Sequence, residues 1–318
     1  MNAMEWLLDS DPAIRWQALR DLTDASPEEI IAERSRVPCE GLGAAILARQ
    51  EPDGSWRRPD APVWLPTLFT FLLLRSTGVD RSAPSVAAAV ERAETSLRWN
   101  DQDCWELRPA ELGGNRFFAG EVEPCINGGV LALGGYFGRP TESLARRLLS
   151  EQLDDGGWNC DAPKSTRSSF HTTICVMDGL FEYERAVGHA AEAAAARKRG
   201  EEYLLKRRLF RRLSTGEVAN PEFLEFAFPA RYHYDLLRAL DYFRASGAAP
   251  DERMSDALQL IESKRQADGR WILDAAYGEA LALPLSETVG EPSRWNTLRA
   301  LRVLQWYEKG GTRRTNVS

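Results

Sequence analysis

Three tryptophans in this chain close nearly the same phrase. Gln50-Glu51-Pro52-Asp53-Gly54-Ser55-Trp56 is the first, Gln152-Leu153-Asp154-Asp155-Gly156-Gly157-Trp158 the second, and Gln266-Ala267-Asp268-Gly269-Arg270-Trp271 the third. Their aspartates lie 102 and 113 residues apart, about twice a period of 50 to 55, and a fixed period of this order is the signature of a repeat architecture. A degenerate copy, Asn100-Asp101-Gln102-Asp103-Cys104-Trp105, falls half-way between the first two. The next expected copy, near Leu205 to Thr215, has lost the pattern.

Each phrase separates two kinds of stretch. Before it runs an amphipathic pattern, at 41–49, 85–98, 142–149, 192–205 and 256–264. After it come polar residues, Gly and Pro, and then a more apolar pattern, at 64–76, 124–137, 170–186, 231–244 and 293–307. No segment sustains period-2 alternation with β-branched residues, which predicts an all-α chain. Asp-Gly supplies the left-handed turn that stops a helix, and Pro or Ser restarts the next. Arg15-Trp16-Gln17-Ala18-Leu19-Arg20-Asp21-Leu22 matches Arg294-Trp295-Asn296-Thr297-Leu298-Arg299-Ala300-Leu301, with Tyr234 to Leu240 as a third version. A helix at 12–22, capped by Asp11 with Pro12 in its first turn, therefore joins the apolar set. About six buried apolar helices and as many amphipathic ones predict two concentric rings, and a single domain over residues 1–318.

Composition narrows the function. Net charge is −7 and pI about 5.3, which disfavours a nucleic-acid or anionic-membrane binder. The longest nearly apolar run, Val63 to Leu74, carries Pro66 and is far short of the ~20 residues of a membrane span. The first residues show no secretion signal, and five cysteines without regular short spacing fit a cytoplasmic protein with reduced thiols.

The Gln-x-x-Asp-Gly-x-Trp repeats resemble those of squalene-hopene cyclases and protein prenyltransferase β subunits. The resemblance covers nearly the whole chain and implies an α/α toroid, a closed double ring of helices around a central cavity. It also implies that Asp53, Asp155 and Asp268 are architectural. The cyclase branch protonates an alkene with an Asp-x-Asp-Asp motif. The nearest phrase, Asp101-Gln102-Asp103-Cys104, lacks the last aspartate.

The prenyltransferase branch matches more residues. In it a catalytic zinc is held by an Asp-x-Cys pair at one inner helix and a His at the next, and it ionises a substrate thiol. Glu123-Pro124-Cys125 resembles the first segment with Glu for Asp, and Phe170-His171 to Leu180 the second. Between them, Cys160 adds a thiol. Cys125, Cys160 and His171 are a plausible three-ligand Zn²⁺ set with an open fourth position, and Glu123 or Asp161 would serve as a fourth ligand or a carboxylate behind the imidazole. The competing reading is ordinary packing, a capping His and a buried thiol. Cys175, on an apolar helix, reads as core. The family's diphosphate is held by an Arg and a Lys ahead of the Asp-x-Cys pair; here only Arg116 stands nearby, with the run Lys206 to Arg212 as another source of charge.

Trp64, Phe170, Tyr232, His233, Tyr234 and Trp295 mark the starts of the apolar helices and are expected to line an apolar cavity for a hydrophobic small molecule. Three functions follow. The first is a zinc-dependent protein acting on a thiol or isoprenoid-like substrate. The second is a non-catalytic binding module on the same ring, and the third a terpenoid cyclase without the usual acid.

Overall fold

The computed structural model describes residues 2–99 and 115–315. In chain order its helices are α1 (Ala3–Leu8), α2 (Pro12–Leu22), α3 (Pro27–Arg36), α4 (Gly41–Leu47), α5 (Trp64–Ser76), α6 (Pro84–Ser96), α7 (Pro124–Tyr136), α8 (Glu142–Ser150), α9 (Phe170–Val187), α10 (Ala191–Lys206), α11 (Leu236–Ala245), α12 (Ser255–Ser263) and α13 (Arg294–Thr315). Among the described residues the one sheet is a two-residue pair, β1 (Trp271–Ile272) antiparallel to β2 (Pro292–Ser293). The chain is all-α, as expected. The degenerate repeat at Asn100 to Trp105 lies outside the described residues.

One predicted boundary is corrected. The apolar stretch expected from 231 becomes helical only at Leu236, because the Asp235 carboxylate accepts the Arg238 N–H at 2.7 Å and caps the helix there. Arg231, with φ at 50°, is in the left-handed region and cannot continue a right-handed helix. Tyr232, His233 and Tyr234 therefore precede α11 instead of riding on it.

The repeat phrase has the same construction at all three copies. The indole N–H of Trp56, Trp158 and Trp271 donates to the carbonyls of Ile46, Leu148 and Ile261 at 2.8, 2.6 and 2.7 Å. These carbonyls belong to the last turns of α4, α8 and α12, where the regular i+4 helical donor is lost. The backbone N–H of each tryptophan donates to a threonine hydroxyl on the following apolar helix, Thr67, Thr173 or Thr297, each at 3.0 Å. Each tryptophan thus joins the end of an amphipathic helix to the next apolar one. Gln50 and Gln152 add a second tie, donating to the carbonyls of Ala89 at 2.9 Å and Ala196 at 2.8 Å on the next amphipathic helices. Gly156 turns at φ 98°, and a Cβ there would stand 2.7 Å from the Arg199 carbonyl oxygen, so only glycine fits. Asp53, Asp155 and Asp268 cap local turns through Ser55, Ser168 and Arg270, which is the architectural role expected of them.

Among the described residues, two compact units form. One comprises the chain up to Arg34, Leu204–Tyr277 and the chain from Leu285 onward. Its helices α2, α11 and α13 carry the three matched phrases and share a buried ionic network. Asp241 on α11 accepts from Arg302 Nε of α13 at 2.7 Å and from Arg244 Nε at 2.9 Å, and Arg302 also donates to Gln17 of α2 at 3.0 Å. Burial alone would push the Asp241 carboxyl up, but Arg302, Arg244 and Arg299 together hold it well below the usual carboxylate range. A depressed folded-state pKa contributes stability above the unfolded value, about 3.9, and loses it as the pH falls toward the folded value. Asp241→Asn is expected to cost about 3 kcal/mol at pH 7, since it strands buried guanidinium charge. Urea titrations at pH 7 and below pH 4 should show that penalty shrinking with acidity.

The second unit comprises Ser35–Tyr203 and Gly278–Pro284. Within it α7 and α9 run parallel in very close contact. A Cβ on Gly128 would lie 2.5 Å from the Cys175 carbonyl oxygen, and one on Gly135 2.5 Å from that of Glu182. Helix α5 runs parallel to α7 as well, with Leu68 and Leu72 against Gly129 and the Tyr136 hydroxyl donating to the Val79 carbonyl at 2.6 Å. At their far ends Arg75 pairs with Asp178 at 2.7 Å and Glu182 at 3.0 Å. The starts of all three helices, at Trp64, Pro124 and Phe170, consequently share one end of this unit.

Candidate metal centre

Pro124 occupies the first turn of α7, where its missing N–H costs nothing, and Glu123 precedes it as the capping residue. That arrangement puts Cys125 on the first turn and Glu123 just outside it. Cys160 comes from the loop ahead of α9, two positions after the anchored Trp158. The loop is closed by Ser169 N–H donating to the Trp158 carbonyl at 2.8 Å and by Asn159 donating to the Arg167 carbonyl at 2.7 Å. Close packing of α7 on α9 then brings the two sources together. The donor atoms of Glu123, Cys125 and Cys160 all lie within 4.8 Å of one another, and each residue is half-buried.

The donor set suits a thiophilic divalent ion. Zinc bonds of about 2.3 Å to sulfur and 2.1 Å to oxygen give a tetrahedral S···O edge of about 3.6 Å. Cys125 Sγ stands 3.7 Å from Glu123 Oε2. Hydrogen bonds order the thiols: Cys160 sulfur lies 3.4 Å from the Thr172 hydroxyl and is lowered in pKa chiefly by the bond from Cys125, against burial. Cys125 is pushed up by donating that bond and by burial. A fourth acid stands beside them. Glu121 is almost fully buried, and burial pushes its carboxyl up to about 8, with the Glu123 and Cys160 charges adding to the effect. Its oxygens accept from the Val122 and Glu123 N–H groups at 2.6 and 2.7 Å. So many desolvated acidic groups in one place favour a cation among them.

Of the predicted ligands, Cys125 and Cys160 are brought together and Glu123 joins them. His171, half-buried on the first turn of α9, is not a member of the donor group, and Asp161 is exposed and also outside it. Thr172, the residue after His171, is the one beside Cys160, and successive residues of a helix face different sides. Cys175 is buried, as expected of core. Arg116 is exposed, with its backbone bridged to Arg98. In the Lys206 to Arg212 run, Arg208 and Arg211 pair with Asp256 at 3.4 and 3.1 Å.

The six aromatic candidates divide between the units. Trp64 is half-buried, and its indole N–H is buried without an acceptor among the described residues. Phe170 packs edge-on against Tyr203 at 5.6 Å. In the other unit Tyr234 is buried against Phe223 and donates to the Leu209 carbonyl, while Trp295 stacks on Phe228 at 4.3 Å. Phe170, Tyr234 and Trp295 serve as packing. Tyr232 and His233 form an accessible stack, with His233 lying 3.7 Å from the Tyr277 ring.

No protein-family model matches the chain, and no curated protein matches it. Solved structures do. A protein from Actinoplanes aligns at a TM-score of 0.45 and 12% identity, over 93% of this chain and 89% of that one. The type II terpene cyclase MstE from Scytonema aligns at 0.44 and 15% identity, over 92% and 86%. A variant of that enzyme in complex with geranylgeranyl dihydroxybenzoate, its substrate, aligns at 0.44 and 15%, over 93% and 86%. Among the described residues no helix is long and apolar enough to cross a membrane.

Proposed function

We propose that the chain holds a zinc ion on Glu123, Cys125 and Cys160 and acts on a thiol together with a hydrophobic, isoprenoid-like substrate. The convergence of these three donor atoms at the start of α7 carries the reading. Three protein donors leave a fourth position open, which distinguishes catalytic from structural zinc sites. Zinc there would lower the pKa of a substrate thiol, making the sulfur a nucleophile at neutral pH. Three anionic donors leave little Lewis acidity, so thiol activation suits this set better than polarising a carbonyl. The Thr172 hydroxyl beside Cys160 restrains that sulfur from competing as a nucleophile. Trp64, at the same end of its unit, offers an apolar ring and one unused N–H to a ligand.

The same proposal takes the chain as one α/α toroid. The identical tryptophan turns in both units, at Trp56, Trp158 and Trp271, support that reading.

Metal analysis of untagged protein tests the function. Stoichiometric zinc is expected, lost in Cys160→Ala and retained in His171→Ala. Freshly purified protein without zinc, with Cys160→Ala folding normally, would overturn it. Zinc lost in His171→Ala but kept in Glu123→Gln would replace Glu123 by the imidazole.

A further inference from the structure

The segment that presents Glu123 is tied at nearly every polar backbone group. Asn127, fully buried in an otherwise apolar stretch of α7, accepts the Glu121 N–H at 2.7 Å and donates to the Glu121 carbonyl at 2.6 Å. Arg147 reaches in from α8. Its Nη1 donates to the Glu121 carbonyl at 2.9 Å and its Nη2 to the Val122 carbonyl at 3.1 Å. Its Nε donates to Glu151 at 2.8 Å, so all three guanidinium nitrogens are engaged. The Glu121 carboxylate takes the Val122 and Glu123 N–H groups. A short loop held this fully has little freedom to move the residue it carries.

We infer that Arg147 and Asn127 are positioning residues for the metal centre, fixing the 121–123 loop so that Glu123 meets Cys125 and Cys160 without reorganisation. The inference rests on the metal reading above. Neither residue touches the donor atoms; both act through the loop, as groups behind a metal's direct ligands commonly do. A fixed loop removes the ordering cost that a flexible carboxylate ligand incurs on binding. Arg147 is the better probe because its side chain is 38% exposed, so its loss leaves no large buried void.

The test compares zinc affinity and the visible spectrum of the cobalt(II)-loaded protein for wild type, Arg147→Met, Arg147→Lys and Arg146→Met. Arg146, paired with Glu142 at the surface, is the control. Arg147→Met is expected to weaken zinc binding about tenfold or more and to alter the cobalt ligand-field bands under conditions where its unfolding curve shows it fully folded. Arg147→Lys should recover part of the affinity, and Arg146→Met should match wild type. Equal affinity and identical cobalt spectra in Arg147→Met and wild type would overturn the inference while leaving the metal centre standing. A wild-type protein that binds neither ion overturns the centre itself, and this inference with it.

Discussion

Gly128→Ala is expected to lower the stability of the chain by about 3 kcal/mol and to abolish metal binding, whereas Gly129→Ala does neither. The added Cβ at 128 would stand 2.5 and 2.6 Å from the carbonyl oxygen and carbon of Cys175 and 2.8 Å from the Val176 nitrogen. All three are backbone atoms of α9, so no side chain can turn aside to relieve the clash. The helices must separate by roughly an ångström, and such overpacking costs about 1–3 kcal/mol, more where backbone meets backbone. The same separation pulls Cys125 on α7 away from Cys160 and Thr172 on the α9 side. Gly129 faces α5, where a Cβ would meet the tips of Leu72 at 3.3 Å and Leu68 at 3.9 Å, both flexible groups. There the gain in helix propensity of about 1 kcal/mol is free to show. Denaturant unfolding and zinc titration of the two neighbours measure both effects. Equal stability in the two variants would mean that α7 and α9 are not locked through Gly128.

The repeat and most helices were legible in the sequence because their signals are local. A tryptophan that must reach back to a helix end and forward to a threonine keeps a fixed spacing, so Trp56, Trp158 and Trp271 announce their own geometry. The start of α11 is hidden in the sequence because the apolar pattern continues through Tyr232 and Tyr234, while the deciding groups are the Asp235 cap and the left-handed Arg231. In the candidate centre residue chemistry singles out Cys125, Cys160, His171 and Glu123 alike, and the structure groups the donor atoms of Glu123, Cys125 and Cys160. A histidine one residue from Thr172 looks equivalent to a ligand in sequence, and only the facing of α9 against α7 separates them. Asn127 carries a signal in the sequence, a polar residue inside an apolar helix, which burial rules require to be bonded. Arg147 carries none. On an amphipathic helix it resembles any surface arginine, and its loop contacts bridge segments far apart in sequence.

Trp158→Ala is expected to cost about 4 kcal/mol, near the top of the range for single substitutions. The side chain is completely buried, so its removal leaves a cavity the size of an indole. It also leaves the Leu148 carbonyl, at the end of α8, without the donor it now has at 2.6 Å. Trp158→Phe separates the two losses, since it keeps most of the packing and removes only the N–H; about 2 kcal/mol is expected, the cost of an unmet buried carbonyl with a small void. The neighbouring Asp155 should behave differently. It is exposed and accepts from Ser168 across the turn, so Asp155→Ala is expected to cost about 1 kcal/mol, as for a lost cap. Zinc content should be unchanged in Asp155→Ala, because that carboxylate is no member of the donor group. Guanidinium unfolding of the three variants gives the order Trp158→Ala, Trp158→Phe, Asp155→Ala. A penalty for Asp155→Ala matching that of Trp158→Ala would show that the turn, and not the buried indole, holds α8 to α9.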